Sequence, residues 1–107
     1  MAQGKIKVNV MYPKTSDSTF NMDYYLNNHL PMVGGLLKDI TLGTELAKGI
    51  GSVAPGSDPA YMVVFSLYCE SPEAFREAFA THAATIAADF QNYTNVEPVI
   101  QINEVLG

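Results

Sequence analysis

Two histidines are the side chains in this chain best suited to move a proton near neutral pH. His29 sits in the run Tyr24-Tyr25-Leu26-Asn27-Asn28-His29-Leu30-Pro31, and His82 lies far downstream. Met22, Tyr25, Leu26, His29, Leu30, Val33 and Leu37 recur at helical spacing, which places His29 on an inward helix face one turn after Tyr25. Phe75, Phe79, His82, Ile86 and Phe90 form the inward stripe of a second helix, with Arg76, Glu77 and Asp89 falling away from it. Pro31 lacks the amide that would bond to the Asn27 carbonyl, so a kink or break is expected at His29-Leu30. A histidine beside such an irregularity, with room next to its ring, is a candidate general acid or base. The plainer alternative is a core histidine satisfied by backbone or by a tyrosine hydroxyl. Both readings stay open for His29 and for His82.

Six tyrosines, Tyr12, Tyr24, Tyr25, Tyr61, Tyr68 and Tyr93, surround these stretches. Most are expected to fill the core with their apolar bodies, and a minority to line a pocket for an aromatic or polyketide-like ligand. The candidate site is therefore His29 as the catalytic group, with Tyr12, Tyr25, His82, Tyr61 and Tyr93 as substrate-binding groups. No acidic or thiol ligand stands at metal-binding spacing to either histidine, so no metal site is expected. No phosphate loop, dinucleotide fingerprint or nucleophile elbow occurs, and no cofactor is expected. The single cysteine, Cys69, follows Leu67 and Tyr68 and reads as a small buried hydrophobe.

The elements that must hold these residues can be read from periodicity. Lys5 to Tyr12 alternates as a strand, and Pro13 to Thr19 is a loop. Asn21 caps the first helix, and Gly34-Gly35 weakens its end. Ile40 to Ile50 is a weakly alternating second strand. Gly51 to Pro59 is a breaker-rich loop, expected to form a movable rim beside His29. Ala60 to Glu70 is a third strand. Ser71-Pro72 starts the second helix with a capping serine and a first-turn proline. Val96 to Val105 is the last strand, and Pro98 near its start suits an edge.

This order, strand-helix-strand-strand-helix-strand, defines an α+β fold of ferredoxin-like βαββαβ type. Its four-stranded antiparallel sheet carries both helices on one face, in a single domain over residues 1–107. In the third strand Tyr61, Val63, Phe65, Leu67 and Cys69 face one way and Met62, Val64, Ser66 and Tyr68 the other. Both sides are apolar, and two helices cover only one. The other side is expected to pack on the sheet of a second copy, making a homodimer. A charged content of only 16% agrees with a surface partly covered by a subunit. The net charge of −5, with scattered lysines, excludes a nucleic-acid partner. No apolar stretch is long enough to span a membrane and no signal peptide opens the chain, so a cytoplasmic protein is expected.

Met22-Asp23-Tyr24-Tyr25-Leu26-Asn27-Asn28-His29-Leu30-Pro31-Met32-Val33 resembles the opening helix of the EthD family. Ala54-Pro55-Gly56-Ser57 and the stretch Asn92 to Ile102 resemble two further signatures of that family. The resemblance implies a dimeric α+β barrel and marks His29 as the signature histidine. The family takes its name from ethyl tert-butyl ether degradation. The wider fold includes cofactor-free monooxygenases, haem-degrading enzymes, lactone isomerases and polyketide dehydratases, and fold alone does not choose among them. The function expected is binding of a small apolar, oxygen-bearing ligand. A cofactor-free isomerisation, dehydration or lyase step is expected on it, in a catabolic or tailoring pathway. A non-catalytic accessory protein of a degradation pathway and a haem-linked or cofactor-free monooxygenase are the alternatives.

Overall fold

The computed structural model describes residues 6–107 as an antiparallel four-stranded sheet with two helices packed on one face. The strands are β1 (Ile6–Pro13), β2 (Gly43–Lys48), β3 (Tyr61–Cys69) and β4 (Val99–Glu104), in spatial order β2-β3-β1-β4. Their succession along the chain is the expected one. Lys5, where β1 was expected to begin, lies outside the described residues. The period-two pattern of β1 sends Ile6, Val8, Val10 and Tyr12 toward the helices. Val8 pairs with Leu67 of β3 and Ile102 of β4, and Val10 with Phe65 and Ile100. These residues therefore form one continuous apolar floor. β2 and β4 are the sheet edges, and Pro98 stands just outside β4, where a missing amide is tolerated.

Helix α1 comprises Met22–Tyr24, a π turn over Tyr25–His29, and Leu30–Leu36. The Asn21 side chain accepts the Tyr24 amide at 3.1 Å and caps it. The kink or break expected at His29-Leu30 takes the form of a π turn, and the helix continues through it. The Leu30 amide bonds to the Tyr25 carbonyl, five residues back. One widened turn relieves the crowding that the Pro31 ring would impose on the carbonyl four residues earlier. Helix α2 (Pro72–Ala88) begins as expected, with Ser71 Oγ accepting the Ala74 amide at 3.1 Å. It ends at Ala88, with Asp89 as its C-cap, and passes into a 3-10 turn, Phe90–Asn92.

The core divides into two parts. One is mainly aliphatic, with Val8, Val33, Leu37, Leu67 and Ile86 around the Phe75 ring. The other is aromatic, built on Tyr12, Tyr25 and Tyr93 with Val63. Tyr93 is held in the second by a clamp between the α1 approach and the segment after α2. The Asn21 amide bonds to the Tyr93 carbonyl at 2.7 Å, and Thr94 Oγ1 donates to the Thr19 carbonyl at 2.7 Å.

The face of the sheet away from the helices departs from the expectation of an apolar surface. Met62, Val64 and Met11 lie on it half-buried, but a polar ladder crosses between them. Asn9 Nδ2 donates to Ser66 Oγ at 3.2 Å, Asn103 Nδ2 to Asn9 Oδ1 at 2.8 Å, and Gln101 Nε2 to Asn103 Oδ1 at 2.6 Å. The apolar reading came from β3 alone, whereas Asn9 of β1 and Gln101 and Asn103 of β4 join Ser66 of β3 in the polar ladder. No helix among the described residues is long and apolar enough to cross a membrane.

Candidate functional site

The π turn, β1 and the end of α2 converge on His29. Its ring is buried, with the residue 3% exposed. Nδ1 lies 2.9 Å from Asp89 Oδ2, and Nε2 lies 3.3 Å from the Tyr93 hydroxyl. The Tyr93 hydroxyl is in turn 2.8 Å from that of Tyr12. Asp89 is anchored from its other oxygen: Tyr24 Oη donates to Oδ1 at 2.6 Å and Asn92 Nδ2 donates at 2.9 Å. Tyr25, one turn before His29, stacks on its ring at 5.4 Å with an interplanar angle of 17°. Phe20 packs edge-on against Tyr12 and Tyr25 and closes the aromatic cluster.

Beside this cluster, between helices and sheet, lies a cavity of about 40 Å³. Its walls are aliphatic and aromatic except for His29, Tyr12 and Tyr25. Half-buried Phe79, Phe90 and Leu30 and the exposed Ile100 form its outer side.

The electrostatics follow from burial. Burial pushes the His29 imidazole below its ordinary range and outweighs the opposing hydrogen bond and charge of Asp89. Burial acts against the Asp89 carboxylate, but hydrogen bonds from Tyr24, Asn92 and His29 together overcome it and hold Asp89 below the usual carboxylate range. Burial, the largest cause in each case, lifts Tyr12, Tyr25 and Tyr93 above the ordinary phenol range. Near neutral pH the site therefore combines a neutral imidazole, an ionised carboxylate and protonated phenols. That set can accept and pass a proton.

Of the residues expected at the site, the structure brings His29, Tyr12, Tyr25 and Tyr93 together. It leaves His82 and Tyr61 apart. His82 is half-buried on α2 and does not line the cavity, so the two histidines do not form a pair. Tyr61, half-buried at the start of β3, stands opposite Pro13, outside the aromatic cluster. The loop of residues 51–59 is not a rim of the His29 cavity. Pro59 instead borders a separate groove with Lys14, Lys48 and Phe20. Cys69 is buried, and that burial raises its thiol, in keeping with an inert core side chain. The sequence reading missed Asp89, which it had placed on the outer side of α2, and with it Tyr24 and Asn92. A signal was present. A carboxylate at a helix C-terminus opposes the helix dipole, so a residue kept there against that cost has a partner elsewhere.

Among the described residues, no three of His, Cys, Asp and Glu are grouped so as to hold a metal. Nor does the site fit haem. Both ring nitrogens of His29 are engaged by Asp89 and Tyr93, which leaves neither as a free axial ligand.

The βαββαβ sheet with helices on one face, and a histidine on a π turn beneath it, define a ferredoxin-like α+β domain. The EthD domain family matches residues 13–97, and the chain belongs to that family. An EthD-like protein from Ralstonia eutropha JMP134 is 40% identical, with a TM-score of 0.90 over 95% of this chain and 92% of that one. An ethyl tert-butyl ether (EthD) family protein from Bacillus halodurans C-125 shares the fold at 17% identity. Its TM-score is 0.67, over 94% of this chain and 98% of that one. A hypothetical protein from Arabidopsis thaliana shares it at 12% identity. Its TM-score is 0.61, over 97% of this chain and 90% of that one. No curated protein matches the chain.

Proposed function

We propose that this EthD-family protein binds a small apolar, oxygen-bearing molecule between its helices and its sheet. His29 then moves a proton on that molecule, in an isomerisation, dehydration or lyase step. The observation that carries this reading is the position of His29. Its ring, braced by Asp89, is one of three polar side chains on an otherwise apolar cavity wall. A ligand larger than water enters by displacing Phe79, Phe90 or Leu30, which are only half-buried. The apolar wall selects the ligand's body, and its oxygen meets His29, Tyr12 or Tyr25.

The test is a panel of apolar ketones, lactones and ethers in deuterated water, read by NMR for binding and for deuterium uptake at acidic carbons. Uptake that is lost in His29→Ala supports the reading. Binding without uptake, or uptake indifferent to His29, refutes the catalytic part of it. A second reading, a non-catalytic binding or accessory protein of a degradation pathway, is favoured by one fact. Both nitrogens of His29 already have protein partners, as in a structural histidine.

The same proposal places a second copy of the chain on the open sheet face. Met62, Val64 and Met11 there offer apolar contact, and the Asn9–Ser66–Asn103 ladder offers polar pairing. A cytoplasmic catabolic or tailoring role completes the reading.

A further inference from the structure

The hydrogen bonds around His29 fix where its proton sits. Asp89 Oδ1 already accepts from Tyr24 Oη at 2.6 Å and Asn92 Nδ2 at 2.9 Å, so Oδ2 is the atom that faces His29 Nδ1, at 2.9 Å. A carboxylate only accepts, so Nδ1 carries the hydrogen. Nε2 is then an acceptor, and the group beside it is the Tyr93 hydroxyl. With its hydrogen directed to Nε2, the Tyr93 oxygen accepts from Tyr12 Oη. Each choice forces the next. At one end of the chain, Tyr12 lines the inner cavity. At the other, Asp89 lies in an outer groove with Asn28, Met32 and Thr85, its side chain 17% exposed.

We propose that Asp89 is a positioning residue. It locks His29 with the proton on Nδ1 and so orients the chain Tyr12–Tyr93–His29–Asp89 to take up a proton from the cavity wall at Nε2. The direction of transport rests on the function proposed above; the locked tautomer does not. In the transfer, a ligand X–H gives its proton to the Tyr12 oxygen as the Tyr12 proton passes to Tyr93 and the Tyr93 proton to His29 Nε2. Three bonds to hydrogen break and three form. The X–H electron pair stays on the ligand, and the positive charge comes to rest on an imidazolium against the Asp89 carboxylate. The arrangement makes the site a base toward its ligand, and return of the Nε2 proton along the same chain to the rearranged ligand restores the neutral Nδ1–H ring.

The test is nitrogen-15 NMR of the histidine rings in the ligand-free protein at neutral pH, with His82→Gln used to assign the signals. In the native protein His29 is expected to show a protonated Nδ1 and an unprotonated Nε2. Asp89→Asn should reverse this. Tyr24 and Asn92 both donate to the Oδ1 position and would keep the new amide oxygen there, which turns the amide NH₂ toward Nδ1 and drives the proton to Nε2. Tyr93→Phe should leave the proton on Nδ1, because Asp89 and not Tyr93 sets it. A native protein protonated on Nε2 overturns the proposal, as does an Asp89→Asn variant that keeps Nδ1–H or a Tyr93→Phe variant that loses it. If Asp89→Asn does not fold, the native and Tyr93→Phe spectra still decide. An Nδ1–H ring in a protein that never exchanges deuterium into a ligand keeps this proposal and removes the catalytic one. An Nε2–H ring in a protein that does exchange it has the opposite effect.

Discussion

Replacing His29 by alanine separates the readings of this site, and the structure sets the size of the effect. The polar loss is small. Asp89 keeps Tyr24 and Asn92 and is exposed enough to recover a water, while the Tyr93 hydroxyl keeps Tyr12. The packing loss is larger. The ring contacts Tyr25, Tyr93 and Phe90 with centroid separations of 5.4, 4.6 and 5.9 Å, in a residue only 3% exposed. Removing it would add roughly 60 Å³ of void, which at ~24 cal/mol per Å³ costs about 1.5 kcal/mol. Lost burial of the ring adds roughly 1–2 kcal/mol more. The total is about 3 kcal/mol, or a fall in Tm of roughly 10–25 °C for a domain of this size. Urea or thermal unfolding of the native protein and the variant measures it. An unchanged Tm would refute the claim that His29 is a packed bridge between α1, the end of α2 and Tyr93. If His29 is also the acid/base group, deuterium exchange into a bound ligand should fall by about 10²–10⁴ in the fraction of variant that remains folded. A stability loss with exchange unaffected would leave His29 structural.

Three further outcomes are expected. The protein should be acid-labile. Burial holds His29 below the ordinary imidazole range, and hydrogen bonds hold Asp89 below the usual carboxylate range despite its burial, so in each case the unfolded chain binds the proton first and stability rises with pH. The His29 contribution is complete above about pH 6.5 and is lost below it, that of Asp89 lower still; a urea midpoint no lower at pH 5 than at pH 8 would contradict this. Val64→Asp, a charge on the open face where β3 pairs with Met11 of β1 and Ala47 of β2, should convert a homodimer to monomer in light scattering, because an unpaired charge buried in an interface is costly. A native protein already monomeric at micromolar concentration would dispose of that interface. Gly49→Ala should destabilise by about 1–3 kcal/mol or more, since a Cβ there would fall on the Tyr61 carbonyl oxygen and within 2.9 Å of Pro59 Cβ. A native-like urea midpoint for that variant would show that the β2–β3 connection yields more readily than its geometry implies.

The architecture and half of the site are legible in local sequence patterns. Period-two alternation in β1 and β3, the Ser71-Pro72 start of α2 and the helical spacing of Tyr25 and His29 are local signals. Each is encoded within a few residues, so order, class and the inward direction of His29 could all be read directly. The same locality explains the errors. A period of 3.6 residues after Ile86 reaches both Asp89 and Phe90, and nothing nearby says which turns inward. That depends on α2 ending at Ala88 and on His29, Tyr24 and Asn92 being present to receive the carboxylate, and His29 lies 60 residues away. The open sheet face was misjudged for a related reason. One strand shows its own alternation, but the Asn9–Ser66–Asn103 ladder exists only once β1, β3 and β4 are in register. Pro31 announced an irregularity in α1, yet a break and a π turn both relieve the clash of its ring with the preceding turn. Only packing, which rewards a helix that continues to bury Val33 and Leu37 beneath the sheet, decides for the π turn. Tertiary structure therefore decided which buried groups meet, because hydrogen bonds between residues far apart in sequence leave no periodic trace along the chain.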